Sequence, residues 1–129
     1  MQSEHPVKVY YEDTDCLGVV YHANYLKYFE RARTELFDTR LGSLAELNRR
    51  GEVFVVAKLE CTFRAAGRFG DALVIETEID IASPYRAVFH QRALRLPERE
   101  LLVSGEVDVV CVDANGKLRE LPDSLRALT

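Results

Sequence analysis

From Val53 onward the hydrophobic pattern of the chain changes period, and that change limits the fold more than any other feature. Ahead of it, Tyr25, Tyr28, Phe29, Ala32 and Leu36 recur at helical spacing and define one apolar face. Lys27, Glu30, Arg31, Arg33 and Glu35 cover most of the rest, and the charges of Arg31, Arg33, Arg49 and Arg50 read as ordinary helix surface. Asn24 is a good N-cap and Gly42 a natural stop, so the spacing predicts a helix from about Tyr25 to Leu41. Ser43 and Glu46 match a capping box for a short second helix that ends near Arg50.

Beyond that point the period is two. Val53, Val55, Ala57, Leu59, Cys61 and Phe63 fall on one face of a long strand. Leu73, Ile75, Thr77, Ile79 and Ile81 form the next, followed by runs over Tyr85–Leu96 and Leu101–Val112. Ala66–Gly70, Ser83–Pro84, Pro97–Arg99 and Asp113–Gly116 supply turn chemistry between them. Near the N-terminus Val7, Val9 and Tyr11 alternate with polar neighbours and read as a short first strand. Short connections favour an antiparallel meander. The expectation is an α+β domain over residues 1–129, with a five-stranded antiparallel sheet and one long helix covering one face. The bare sheet edges then call for cover, and a partner subunit is its simplest source.

Between the first strand and the helix lies Asp13-Thr14-Asp15-Cys16-Leu17-Gly18-Val19-Val20-Tyr21-His22-Ala23. Gly18 is free to take a positive φ and make the sharp turn. A carboxylate in a loop just before a helix has unpaired backbone N–H groups close by, able to hold a developing negative charge. Such a carboxylate can attack a carbonyl or activate a water. The plain alternative is a turn residue bonding its own backbone, and Asp13 is read that way.

Charge and cysteine use exclude several classes. Seventeen Lys and Arg stand against 21 Asp and Glu, a net charge of −4, which argues against a nucleic-acid partner. The three cysteines are widely spaced with no CxxC pair, and the three histidines lack ligand spacing, so no metal and no cofactor are expected. No apolar run reaches transmembrane length and the N-terminal residues are polar, so a cytoplasmic protein is the expectation.

The segments Tyr11-Glu12-Asp13-Thr14-Asp15, Gly18, Val20–Leu26 and Tyr28–Arg33 resemble the hotdog-fold acyl-CoA thioesterases of the 4-hydroxybenzoyl-CoA thioesterase family. The likeness is greatest to the bacterial branch encoded with the Tol–Pal envelope system, and it continues through Arg68–Asp71 and Val109–Asp113. It implies a hotdog fold, a curved sheet wrapped round the long helix. It also implies homodimers with a continuous sheet, often paired into a homotetramer, with active sites between protomers. The implied activity is hydrolysis of an acyl-CoA thioester, and the family's catalytic aspartate falls on Asp15. The thioester-polarising amide and the branch's characteristic histidine both fall at His22.

On that resemblance Asp15 is nucleophile or general base, and His22 bonds Asp15, positions a water or touches the acyl group. Ala23 joins His22 in offering amides, and Tyr21 and Tyr25 flank the acyl group unless they simply pack. Arg64 and Arg68 flank a glycine turn and suit the phosphates of coenzyme A, a solvated turn being the alternative. An acyl carrier protein is a second expected partner, and a non-catalytic carrier-binding subunit of an envelope complex is the competing function.

Overall fold

The computed structural model describes residues 2–129; Met1 lies outside them. The chain runs β1 (Gln2–Lys8), a 3-10 turn (Tyr11–Asp13), α1 (Asn24–Arg40), α2 (Leu44–Arg49), β2 (Val53–Phe63), β3 (Ala72–Ser83), β4 (Arg86–Arg95), β5 (Glu100–Val112), β6 (Leu118–Arg119) and α3 (Asp123–Arg126). The sheet order is β1-β3-β4-β5-β2, every pair antiparallel, with the two-residue β6 added on β5. One long helix lies across one face of this sheet, as the change of period predicts.

The expected meander holds only through β3, β4 and β5. β2 does not pair with β3; it crosses to the far edge beside β5. The reason lies in residues 64–71, which do not close a hairpin. Gly67 O accepts from Val20 N–H at 2.8 Å, Phe69 N–H donates to Gly18 O at 3.3 Å, and Val19 bridges Arg68. The segment is spent on the loop before α1. The first strand also differs from its prediction. It spans Gln2–Lys8, and Tyr11 belongs to the 3-10 turn. Its alternation is carried by Ser3, His5 and Val7, which hydrophobicity alone does not mark as a strand.

β2 does not keep one face throughout. Its register on β5 shifts between Val56 and Lys58, so Phe54 and Val56 oppose Cys111 and Val109 while Leu59 and Cys61 oppose Val107 and Gly105. Such a slip moves the following residues to the other face. Phe54 then stacks on Phe37 of α1, with ring centroids 4.7 Å apart.

α1 buries Tyr25, Tyr28, Phe29, Ala32 and Leu36 as expected, together with Phe37 and Arg33. Arg33 is therefore not surface charge. It lies between helix and sheet because it shares the stripe of Phe29 and Leu36. Asn24 is not the N-cap: Ala23 holds that position, no side chain caps α1, and Asn24 lies inside the first turn. α2 begins as predicted, with Ser43 Oγ accepting from Glu46 N–H at 3.2 Å. The core forms two clusters, one around Tyr25, Tyr28, Phe29, Ile75 and Val103, the other around Leu36, Phe37, Phe89 and Val107. The helix comes nearest the sheet at Gly105, where a Cβ would sit 2.8 Å from Phe29 Cε2 and 3.2 Å from Cys61 Sγ. Only glycine leaves room for that approach.

Candidate active site

The loop ahead of α1 is a small hairpin. Asp15 N–H donates to Val19 O at 2.9 Å, Thr14 bridges Val20, and Tyr21 N–H donates to Asp13 O at 2.9 Å. The reversal is made at Gly18, φ +78°, whose N–H donates to Asp15 O. Asp15 sits at the tip, half-buried. Its Oδ1 accepts from Leu17 N–H at 2.8 Å and more weakly from Val19 N–H at 3.4 Å. Its Oδ2 has no partner among the described residues. One oxygen is thus fixed by the loop, and the other is free for chemistry.

The hairpin runs directly into α1. The N–H groups of Asn24, Tyr25 and Leu26 reach back to the carbonyls of Tyr21, His22 and Ala23. The N–H groups of His22 and Ala23 have no acceptor among the described residues. Two adjacent free donors therefore stand at the positive end of a helix, where a developing oxyanion is stabilised.

The predicted residues divide by position. Gly18, Tyr21, His22 and Ala23 fall on the hairpin and the helix head with Asp15. His22 is exposed, and its ring meets Tyr21 at 4.6 Å and Phe63 edge-on at 6.2 Å; no hydrogen bond joins it to Asp15. Tyr25 is buried, and its hydroxyl accepts from Gly67 N–H at 3.0 Å. Burial lifts the Tyr25 phenol above its ordinary pKa, with the Gly67 N–H opposing. It ties the helix head to residues 64–71. Arg64 and Arg68 are exposed and take part in no ion pair among the described residues, and Arg68 adjoins the hairpin through its bridge to Val19.

Other parts were not read from sequence. Arg95 bonds Asp71 at 3.0 Å, Glu100 at 2.6 Å and the Ala66 carbonyl at 2.9 Å, and so braces the turn that carries Arg68. Phe63, at the end of β2, faces His22 and Tyr25. Asp13 bonds Asn24 across the hairpin base. The tyrosine and arginine partners lie far from the loop in sequence, beyond the reach of local spacing. No group of His, Cys, Asp and Glu among the described residues is arranged to hold a metal ion.

The pattern that defines the thioesterase-like superfamily matches residues 9–128. The chain belongs to this superfamily. Among its relatives is the acyl-CoA thioester hydrolase YbgC of Escherichia coli O6:H1, 46% identical over 123 residues, 95% of this chain and 91% of that protein. The acyl-CoA thioesterase YbgC of Haemophilus influenzae is 42% identical over 88% of this chain and 82% of its own length. These YbgC relatives fit the Tol–Pal-associated branch that the loop motif resembles. A solved probable thioesterase from Bartonella henselae is 32% identical with a TM-score of 0.85, covering 95% of this chain and all of that one. A 1,4-dihydroxy-2-naphthoyl-CoA thioesterase from Synechocystis superposes with a TM-score of 0.91 at 23% identity over 99% and 95% of the two chains, which speaks to the fold alone. The α+β hotdog architecture expected from sequence is the one observed.

Proposed function

We infer that this chain hydrolyses acyl-CoA thioesters to a free carboxylic acid and coenzyme A. The observation that carries the reading is the free Asp15 oxygen on a hairpin leading straight into the unpaired His22 and Ala23 amides. The YbgC relatives, named as acyl-CoA thioester hydrolases, support it.

The thioester carbonyl oxygen rests on the two amides, which gain most as it becomes an oxyanion. Asp15 Oδ2 either attacks the carbonyl carbon, giving a mixed anhydride that water then cleaves, or takes a proton from a water that attacks instead. In both routes the C–S bond breaks and coenzyme A leaves as the thiolate. His22 contacts the acyl group or a water beside Phe63. Gly18, Tyr21 and Tyr25 shape the acyl end, and Arg64 and Arg68 meet phosphates of coenzyme A.

Tyr21 and His22 are exposed in the single chain, and we read β2 as the edge that a second copy covers. This strand is an edge of 11 residues, with Val55, Val56, Leu59 and Phe63 exposed. A long apolar edge is a template for another strand. A homodimer pairing β2 with its copy covers these residues and brings a second chain beside His22. Lys placed at both Val55 and Leu59 is expected to shift the native mass to that of one chain and to lower activity; an unchanged mass would reject this interface. A native mass of four chains would make the assembly a pair of such dimers.

None of the helices described is long and apolar enough to cross a membrane, and the three thiols are unpaired. Free thiols suit a reducing compartment, and we place the enzyme in the cytoplasm. The direct test is thiol release from a panel of aliphatic and aromatic acyl-CoA esters, with acyl-carrier-protein thioesters alongside. Release from acyl-CoA supports the reading and names the acyl class. Release from carrier thioesters alone moves the substrate to an acyl carrier protein, and release from neither rejects hydrolysis.

A further inference from the structure

We propose that Asp13 and Asn24 are a positioning pair that sets the angle between the Asp15 hairpin and the head of α1. The inference rests on the hydrolytic reading above, in which Asp15 and the His22 and Ala23 amides act on one carbonyl group.

Asp13 is 8% exposed and stands at the base of the hairpin, two residues before Asp15. Its backbone carbonyl takes the Tyr21 N–H at 2.9 Å. One carboxylate oxygen accepts from Tyr10 N–H at 2.9 Å, which closes the 3-10 turn. The other accepts from the Asn24 side-chain amide at 2.9 Å. A single residue thus grips three pieces of chain: the turn before the hairpin, the strand that returns from it, and the first turn of the helix.

The gripped points flank the reactive ones. Tyr21 and Asn24 lie on either side of His22 and Ala23, whose N–H groups are free. A Ser, Thr, Asp or Asn at the N-cap would spend its side-chain oxygen on first-turn amides. Here the cap is Ala23, which has no such oxygen, and the Asn24 amide bonds Asp13 instead. The helix head is therefore held from the side: its first-turn N–H groups bond the Tyr21, His22 and Ala23 carbonyls, and the His22 and Ala23 N–H groups just ahead of it stay free. Residues 67–69 hold the hairpin along one side, through Gly18 O and Val20 N–H, and a twist at its base, where it joins the helix head, would swing Asp15 relative to the amides. The Asp13–Asn24 bond opposes that rotation. Beside it lies the Tyr28 side chain, buried and close to the Asp13 carboxylate. Burial, and then the Asp13 carboxylate, push the Tyr28 phenol well above its ordinary range.

Hydrogen-bond polarity supplies the test. An Asn at position 13 keeps the Tyr10 N–H on its oxygen and, once the Asn24 amide turns over, donates to the Asn24 oxygen, so this change alone leaves the pair joined. An Asp at position 24 sets two carboxylates face to face. Together, Asp13→Asn with Asn24→Asp restores both bonds: the new amide accepts from Tyr10 N–H and donates to the new carboxylate. Steady-state kinetics on an acyl-CoA ester, with thermal unfolding of each variant, would be measured for Asp13→Asn, Asn24→Asp, the reciprocal pair and Asn24→Ala. The alanine variant favours helix and preserves the fold if the Asp13 change does not. Misplaced groups cost rate rather than binding, so Asn24→Asp and Asn24→Ala are each expected to lower kcat roughly ten- to a hundredfold with KM within about twofold, and Asp13→Asn by less. The reciprocal pair is expected to return kcat to within about threefold of wild type, the non-additive signature of a direct contact.

A reciprocal pair no better than Asn24→Asp alone would overturn the proposal. So would a loss of kcat that only tracks the unfolded fraction, or a full kcat in folded Asn24→Ala. Asp15→Asn is run beside them: if it loses activity while the Asp13 and Asn24 variants keep theirs, the positioning role fails and hydrolysis at Asp15 stands. If Asp15→Asn keeps full activity, the underlying reading fails instead.

Discussion

Asp15→Asn is expected to lower kcat on acyl-CoA by about 10²- to 10⁴-fold, the range that a positioned acid or base contributes. The asparagine keeps a carbonyl oxygen where Oδ1 now accepts from Leu17 N–H and Val19 N–H. The hairpin therefore keeps its shape, and the melting temperature and KM should change little. What disappears is the second oxygen, the only part of the side chain free to react. A single wild-type turnover in H₂¹⁸O then tests for the anhydride, since label in Asp15 arises by that route alone. General-base attack puts one labelled oxygen in the released acid. An anhydride cleaved by water at the Asp15 carbonyl leaves the label in Asp15. Full activity in a folded Asn variant would remove Asp15 from the chemistry altogether.

The largest expected effect on stability is at Gln91. It is 1% exposed, between α1 and the sheet. Its amide nitrogen donates to Phe29 O and to Thr77 Oγ1, each at 3.0 Å, and its oxygen accepts from Arg33 at 2.9 Å. Arg33 is itself 6% exposed and also pairs with Glu30. Burial lowers the Arg33 pKa, with the Glu30 carboxylate opposing. Gln91→Leu is close in volume and leaves no cavity. It does leave an Arg33 N–H and the Thr77 hydroxyl without their partner in the core. Two such losses, each worth about 1–3 kcal/mol, predict a destabilisation of about 3 kcal/mol in urea titration. A change below about 1 kcal/mol would mean that Glu30 and water take up the whole network.

How far these features could be read from sequence depends on how local their causes are. α1, α2 and the long strands follow from periods and capping residues within a few positions. The Asp15 loop was found because its acids, Gly18 and the helix start are contiguous. β2's place at the sheet edge was not, since period marks a strand without naming its neighbour. That neighbour is set where residues 67–69 bond the hairpin instead of turning β2 back onto β3. Arg33 was misread because charge outweighed position, although it stands four residues after Phe29 and three before Leu36. Its partner Gln91 lies 58 residues away. Asn24 was read as the N-cap by type, while it lies in the first turn and its side chain bonds Asp13, 11 residues back. The free amides leave no mark on any side chain.

That last point bears on how such a protein can change over time. The groups assigned to hold the carbonyl are peptide N–H groups of His22 and Ala23, which nearly every amino acid carries. Replacing either side chain leaves its donor in place, so long as the hairpin and α1 keep their path. The proposed electrophilic half is thus less tied to side-chain identity than Asp15 is, or than Asp13 and Asn24, which are proposed to hold its angle. Tyr21 and Phe63 are exposed and bear neither burden. A lineage can exchange them to accept a new acyl group while the bond-breaking step is inherited intact.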